Sequence, residues 1–240
     1  MTIDTNELEA INIRMESLTA LERIVWAKDQ FGGGLVLSTS FGLQSSVMLD
    51  LVLKVSKEIP VIFVDTGHLF SETYQYALTL QDKLDFRVRT YSAKMSPAFQ
   101  EVRFGKLWEQ GKDEMKKYNF INKKEPMERA LKELGATVWL SGLRRAQSLD
   151  RGKRPFIEKQ DEILKFYPIL DWADQKTYKY LPKNDLPYHP LEGKGYDSVG
   201  DQHSTQKIDP SKLAEDSRHG GYGRECGLHL DLPEGLDFSV

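Results

Sequence analysis

One cysteine, Cys226, stands in the run Gly223-Arg224-Glu225-Cys226-Gly227-Leu228-His229, inside a polar stretch with no apolar periodicity. A thiol between an arginine, a histidine and two glycines is badly placed to fill a core. Arg224 and His229 favour its ionised form, so the thiol reads as a nucleophile. Far upstream, Ser38-Thr39-Ser40-Phe41-Gly42-Leu43-Gln44-Ser45 offers hydroxyls and backbone N–H groups where an apolar run gives way to a helical pattern. Such a loop suits an anion at a helix N-terminus, although alone it reads as an ordinary turn with a serine cap. Asp65-Thr66-Gly67 ends the next apolar run; Asp65 either accepts from a ribose hydroxyl or base amine or simply forms an Asx turn. Arg144 and Arg145 follow Ser141-Gly142-Leu143 and could fork onto an oxyanion. Lys116, Lys117, Arg129 and Lys132 alternate with Glu114, Glu125, Glu128 and Glu133, and read as a solvated helix face.

The elements that must carry these residues repeat as strand, loop and helix. Leu18 to Gln30 has helical spacing, with Leu21, Ile24, Val25 and Trp26 expected on one face, and Phe31-Gly32-Gly33-Gly34 ends it. Strands are expected at Leu35-Val36-Leu37, Pro60 to Val64, Arg87 to Tyr91 and Thr137 to Leu140. Helices are expected over Val47 to Val55, Ser71 to Leu84 and much of Pro97 to Leu134. This alternation implies an α/β fold with a doubly wound, mostly parallel sheet and ligands at the carboxyl ends of its strands. Beyond Leu181, prolines and glycines replace regular spacing. Two units are therefore expected, a nucleotide-binding α/β domain over residues 1–185 and a loop-rich C-terminal segment over 186–240 that carries Cys226 as a mobile arm.

Composition narrows the field. An apolar share of 40%, a charged share of 29% and a net charge of −3 are those of a soluble globular chain and argue against bulk nucleic-acid affinity. One cysteine supplies neither an internal disulfide nor a site needing several thiolates, so no metal and no iron-sulfur cluster are expected. The start MTIDTNELEAINIRM lacks the basic and apolar stretches of a signal peptide, and no apolar run is long enough to span a membrane. A cytoplasmic location is expected.

With these residues in order, the sequence resembles the thioredoxin-dependent assimilatory 3'-phosphoadenylyl sulfate (PAPS) reductases along nearly its whole length. The resemblance is carried by Leu37 to Gly42, Val64 to Gly67, Tyr118 to Leu131 (YNFINKKEPMERAL), Ser141 to Arg145, Tyr188 to Leu191, Gly195 to Asp201 (GYDSVGD) and the terminal Glu225 to His229 (ECGLH). It implies the adenine nucleotide alpha hydrolase-like fold, related to that of the ATP pyrophosphatases. The related adenylyl sulfate (APS) reductases hold a 4Fe-4S cluster at positions that here are Tyr118, Asn119, Asp201 and Ser204, none of them cysteine. The phosphate loop Ser-Gly-Gly-x-Asp-Ser of the pyrophosphatases is here Ser40 to Ser45, with Phe41 and Gln44 at the second and fifth places. That departure weakens a pyrophosphate and magnesium cradle.

The resemblance implies reduction of PAPS to sulfite and adenosine 3',5'-bisphosphate through an S-sulfocysteine on Cys226, resolved by reduced thioredoxin or a glutaredoxin. Lys123, which matches a lysine beside the cluster motif of the cluster-bearing relatives, would act with Arg224 and His229 in catalysis. Ser38, Thr39, Ser40, Phe41, Gly42, Asp65, Thr66, Gly67, Arg144, Arg145 and Arg218 would bind the nucleotide, with Arg151 and Arg154 as further candidates for the 3'-phosphate. A homodimer is implied as well. The alternatives are a cluster-free APS reductase, an ATP pyrophosphatase or adenylylating enzyme of the same fold, and a nucleotide-binding redox sensor that uses Cys226 as a switch.

Overall fold

The computed structural model of the protein describes residues 4–148 and 151–208. Helix α1 (Thr5–Ser17) begins at Asp4, whose carboxylate accepts from the Glu7 N–H at 2.9 Å. Helix α2 (Ala20–Phe31) begins with a capping box, in which Thr19 and Glu22 satisfy each other's backbone donors. The buried face of α2 differs from the expected one. Leu21 and Val25 are each 42% exposed, whereas Ala20, Arg23, Ile24, Trp26 and Ala27 are buried. The reason is Arg23, a charged residue on the inner face. Its guanidinium donates to Met15 O and Pro168 O, both at 2.8 Å, and pairs with Asp171 at 2.6 Å.

The sheet follows. Its strands are β1 (Leu35–Thr39), β2 (Val61–Val64), β3 (Val88–Tyr91), β4 (Val138–Leu140), β5 (Ile157–Gln160) and β6 (Ile163–Phe166), in the order β3-β2-β1-β4-β6-β5. All neighbours pair in parallel except β5 and β6, which form an antiparallel hairpin at one edge. Between the strands run α3 (Ser46–Val55), α4 (Ser71–Leu84), α5 (Pro97–Phe104), α6 (Lys112–Asn119) and α7 (Glu125–Glu133), and α8 (Asp174–Lys183) follows the hairpin. A five-residue π-helical turn, Phe120–Lys124, joins α6 to α7.

Strand alternation shows why both faces are covered. Leu35 and Leu37 of β1, Val61 and Phe63 of β2, and Val138 and Leu140 of β4 point into a large core with α2, α3 and α4. The intervening Val36, Ile62 and Trp139 point the other way, onto Met127, Ala130 and Leu131 of α7. Side chains of period two, apolar on both faces, are what a central parallel strand requires. The expected doubly wound, mostly parallel α/β fold is therefore present.

Residues 186–208 hold no regular element longer than the 3-10 turn Gln202–Ser204. They are nonetheless packed: Leu191 and Val199 close on Leu43, and His189, Asp201 and Ser204 are buried. No helix among the described residues is long and apolar enough to cross a membrane.

Candidate active site

The carboxyl ends of β1, β2 and β4 open into a pocket of about 520 Å³, a size that suits a nucleotide-scale ligand. Its walls come from four parts of the chain: the loop between β1 and α3, the turn after β2, the loop after β4 and the segment 196–201. Ser38, Thr39, Ser40, Gly42, Thr66, Lys123 and Arg144 line it, so these expected site residues are brought together. Ser38 is fixed by Trp139, whose indole N–H donates to Ser38 Oγ at 2.7 Å. At the start of α3, the hydroxyls of Ser45 and Ser46 are buried without a hydrogen-bond partner among the described residues. Of the two, Ser45 lines the pocket, and a hydroxyl beside a helix N-terminus is suited to receiving an anion.

Phe41 has a positive φ of 50°, a conformation that costs a non-glycine residue roughly 1–2 kcal/mol. Its ring is fully buried and meets Phe63 edge-on at 5.0 Å, and this burial offsets the strain. The side chain thus lies beneath the loop, and its bulk leaves the pocket open. Gln44 also faces the pocket, where its carbonyl accepts from Arg144 Nη2.

The two adjacent arginines diverge. Arg144, buried, is held by Gln44, by Trp172 O and by Asp174 at 2.8 Å, and remains in the pocket wall. Arg145 turns away to Glu16, to Arg154 O and to the face of Phe156. Asp65 makes the Asx turn, its Oδ1 accepting from Gly67 N at 2.9 Å and from the Tyr74 hydroxyl at 2.7 Å. Phe41, Asp65, Gly67 and Arg145 are not among the residues that line the pocket. Arg151 is among them, whereas Arg154 pairs with Glu158. Cys226, Arg224, His229 and Arg218 lie outside the described residues.

Lys123 is buried at the end of the π-helical turn, its Nζ 2.8 Å from Asp201 Oδ2 and 5.5 Å from the centre of the Tyr118 ring. Burial alone would raise the Asp201 pKa, but the Lys123 charge and the hydrogen bonds from Lys123 and Thr66 outweigh it and hold the carboxyl well below its usual range. Burial, with the Asp201 charge, pushes the Tyr118 hydroxyl far up. Tyr118, Asn119, Asp201 and Ser204, where cluster ligands would be sought, are all buried. Around Tyr118 gather His68, Trp108 and His203, with His203 stacked on Trp108 at 4.1 Å and 7°. Among the described residues no group of three or more His, Cys, Asp or Glu is arranged to hold a metal ion. Sequence reasoning missed Gln44, Tyr178 and Asp201 as pocket residues. Asp201 had a usable signal, since it closes the GYDSVGD motif.

A buried imidazole, His189, stands apart from the pocket lining. Its Nδ1 accepts from Leu191 N at 3.1 Å, which leaves Nε2–H to donate to Thr73 Oγ1 at 3.2 Å. Burial lowers its pKa to about 4, with Glu72 opposing weakly; burial does the same for His203. Both imidazoles are therefore neutral in the folded protein and take up a proton more readily once unfolded. The stabilisation is whole above the ordinary value near 6.5 and is lost as pH falls from there to about 4, of the order of 3 kcal/mol for His189. Thermal unfolding should be flat with pH above neutrality and fall steadily below 6.5, and His189→Asn should show a shallower fall. An equally steep profile in that variant would contradict the assignment.

The chain has relatives in sequence and in fold. The profile described as the phosphoadenosine phosphosulfate reductase domain matches residues 34–207. A phosphoadenosine 5'-phosphosulfate reductase of Vibrio cholerae is 50% identical over 227 residues, covering 95% of this chain and 90% of that protein. One of Salmonella schwarzengrund is 51% identical over 222 residues, covering 92% and 91%. Among solved structures, a PAPS reductase from Candida auris in a phosphate complex superposes with a TM-score of 0.76 at 30% identity, covering 87% of this chain and 99% of that one. A Candida glabrata FMN adenylyltransferase reaches 0.61 at 14% identity, covering 96% and 79%, a likeness of fold alone. Half of all residues shared from end to end is far more than a common fold requires, and the chain belongs to the phosphoadenosine phosphosulfate reductase family.

Proposed function

We propose that the chain, an oxidoreductase of the PAPS reductase family, reduces PAPS to sulfite in two thiol steps that begin at Cys226. The nucleotide occupies the pocket at the strand ends, with its anionic groups toward the Ser45 end of α3, Lys123 and Arg144. In the first step the Cys226 thiolate attacks the sulfate sulfur. A sulfur-sulfur bond forms, the bond from sulfur to the phosphate oxygen breaks, and adenosine 3',5'-bisphosphate leaves with the electron pair. Arg144 and Lys123, two cations of the pocket wall, are suited to stabilising the charge that collects on the leaving phosphate. Arg218, Arg224 and His229 are assigned to offsetting the repulsion between thiolate and sulfate.

In the second step a thiolate of reduced thioredoxin, or of a glutaredoxin, attacks Cys226 Sγ. Sulfite leaves with the electrons of the sulfur-sulfur bond, and the donor's second thiol resolves the mixed disulfide. The observation that carries this reading is the single cysteine of the sequence. With no second thiol and no thiolate set for a cluster, the two electrons must come from an outside dithiol. A homodimer working in the cytoplasm belongs to the same reading.

Intact mass after addition of PAPS without reductant should show one added sulfo group, discharged as sulfite when reduced thioredoxin follows. APS in place of PAPS should leave the mass unchanged, and a sulfo adduct with APS alone would make the chain an APS reductase. Pyrophosphate release from ATP and magnesium, with no adduct from either nucleotide, would overturn the two-step route.

A further inference from the structure

Three separate parts of the chain meet at one carboxylate. Asp201 is 1% exposed; its Oδ1 accepts from the Thr66 hydroxyl at 2.5 Å, and its Oδ2 lies 2.8 Å from Lys123 Nζ. Thr66 belongs to the turn after β2 and Lys123 to the π-helical turn. Asp201 is itself fixed by its backbone. It forms an isolated bridge with Leu69, and beside it Gln202 N donates to His68 O at 2.8 Å and Gln202 Nε2 to Leu69 O at 2.8 Å. The Asp201 backbone cannot shift without breaking these bonds.

A buried ion pair is poor value as glue, because desolvating two charges cancels most of their attraction and an apolar pair would hold the fold as well. Its position gives it another use, since Lys123 and Asp201 both line the pocket. Lysine is a point charge on a flexible four-carbon stem with three N–H donors. The ion pair with Asp201 and the Tyr118 face beside the ammonium fix its place, and its remaining N–H donors suit an anion in the pocket. Electrostatic stabilisation of a transition state depends on donors that are already in place when charge develops.

We propose that Asp201, braced by Thr66, is a positioning residue that holds the Lys123 ammonium at one point of the pocket wall for the leaving phosphate. This rests on the reading that Lys123 acts on the reacting anion. Because Asp201 also sets a negative charge beside an anionic substrate, it should favour turnover at no gain to binding. Removing that charge should separate the two.

The test compares wild type, Asp201→Asn, Thr66→Val, Lys123→Met and the Lys123→Met/Asp201→Asn double variant. It measures kcat for sulfite formation with reduced thioredoxin, and the equilibrium binding of adenosine 3',5'-bisphosphate. Asp201→Asn should lower kcat at least tenfold while the product nucleotide binds as tightly or more tightly, and the double variant should be no slower than Lys123→Met. Thr66→Val, which keeps both charges, should show a smaller loss of the same kind, and it decides the matter if Asp201→Asn does not fold. Parallel loss of kcat and binding in Asp201→Asn, a double variant slowed by the product of the two single effects, or full kcat in Thr66→Val with Asp201→Asn unfolded would each overturn the positioning role. Full kcat in Lys123→Met would overturn the reading of Lys123 itself, and absence of sulfite from wild type would overturn the reductase.

Discussion

Cys226→Ser should abolish sulfite formation, by about 10⁴-fold or more, while binding of adenosine 3',5'-bisphosphate stays unchanged. Two physical reasons combine. A serine hydroxyl stays protonated at neutral pH, so the attacking species is missing. Even a sulfo group that reached the oxygen would be a sulfate ester, and a thiol attacking there has no sulfur-sulfur bond to break with release of sulfite. Serine therefore blocks both steps, and added dithiol should not rescue the variant. The checks are sulfite release under steady-state conditions and calorimetric binding of the product nucleotide. Substantial residual turnover would mean that the outside dithiol attacks PAPS directly, since the sequence holds no other cysteine.

Arg23→Leu should be the most destabilising single change away from the pocket, by about 3 kcal/mol or more. The guanidinium is 1% exposed, lies over the Phe156 ring at 4.0 Å, and joins the end of α1 to the loop after β6 through Met15 O, Pro168 O and Asp171. Leucine fills part of the volume but leaves Pro168 O and the Asp171 carboxylate without their donor, and Met15 O with only its bond from Leu18 N. Asp171, about a third exposed, can recover water, which places the cost toward the lower end for a broken buried pair. Urea unfolding should show a lower midpoint at unchanged slope, and kcat below the transition should match wild type. A loss under about 1 kcal/mol would mean that the pair contributes little beyond packing.

These two residues mark where sequence reading succeeds and where it stops. The repeating units were legible because buried parallel strands appear as short apolar runs, and Leu35-Val36-Leu37 and Val61-Ile62-Phe63-Val64 are apolar on both faces. The hairpin of β5 and β6 was not: Glu158, Lys159 and Lys165 interrupt its apolar residues, and its turn is Asp161-Glu162. Helix α1 buries only Met15 outright, with Leu8 and Ile11 partly buried beside it, and α8 only Thr177 and Leu181, so their apolar stripes are narrow. The face of α2 was misread because the side chain that points inward is an arginine with partners far along the chain.

At the site, the loop Ser38 to Ser45 could be found because its place at a strand end is a matter of order along the chain. Nothing in the sequence separates Arg144 from Arg145. One faces Gln44 and the pocket and the other Glu16, a choice made by backbone direction. Asp201 could be seen as part of a motif, but its hold on Lys123 exists only once the turn after β2 and the π-helical turn have been brought to the same place.

That π-helical turn sets the rotational phase between the two ends of what would otherwise be one helix from Lys112 to Glu133. A π turn takes in one residue more than an α turn, and each residue advances an α-helix by about 100°. The extra residue lets α6 present Tyr118 beneath the pocket while α7 presents Met127, Ala130 and Leu131 to the sheet. Deleting one residue between Phe120 and Lys124 would restore an unbroken α-helix and force one end to turn by that angle. Either α7 would lose its grip on the sheet or Tyr118 would leave the side of Lys123. The requirement falls on the count of residues in the turn more than on their identity, so a single deletion there should do more harm than a substitution at an exposed position of either helix.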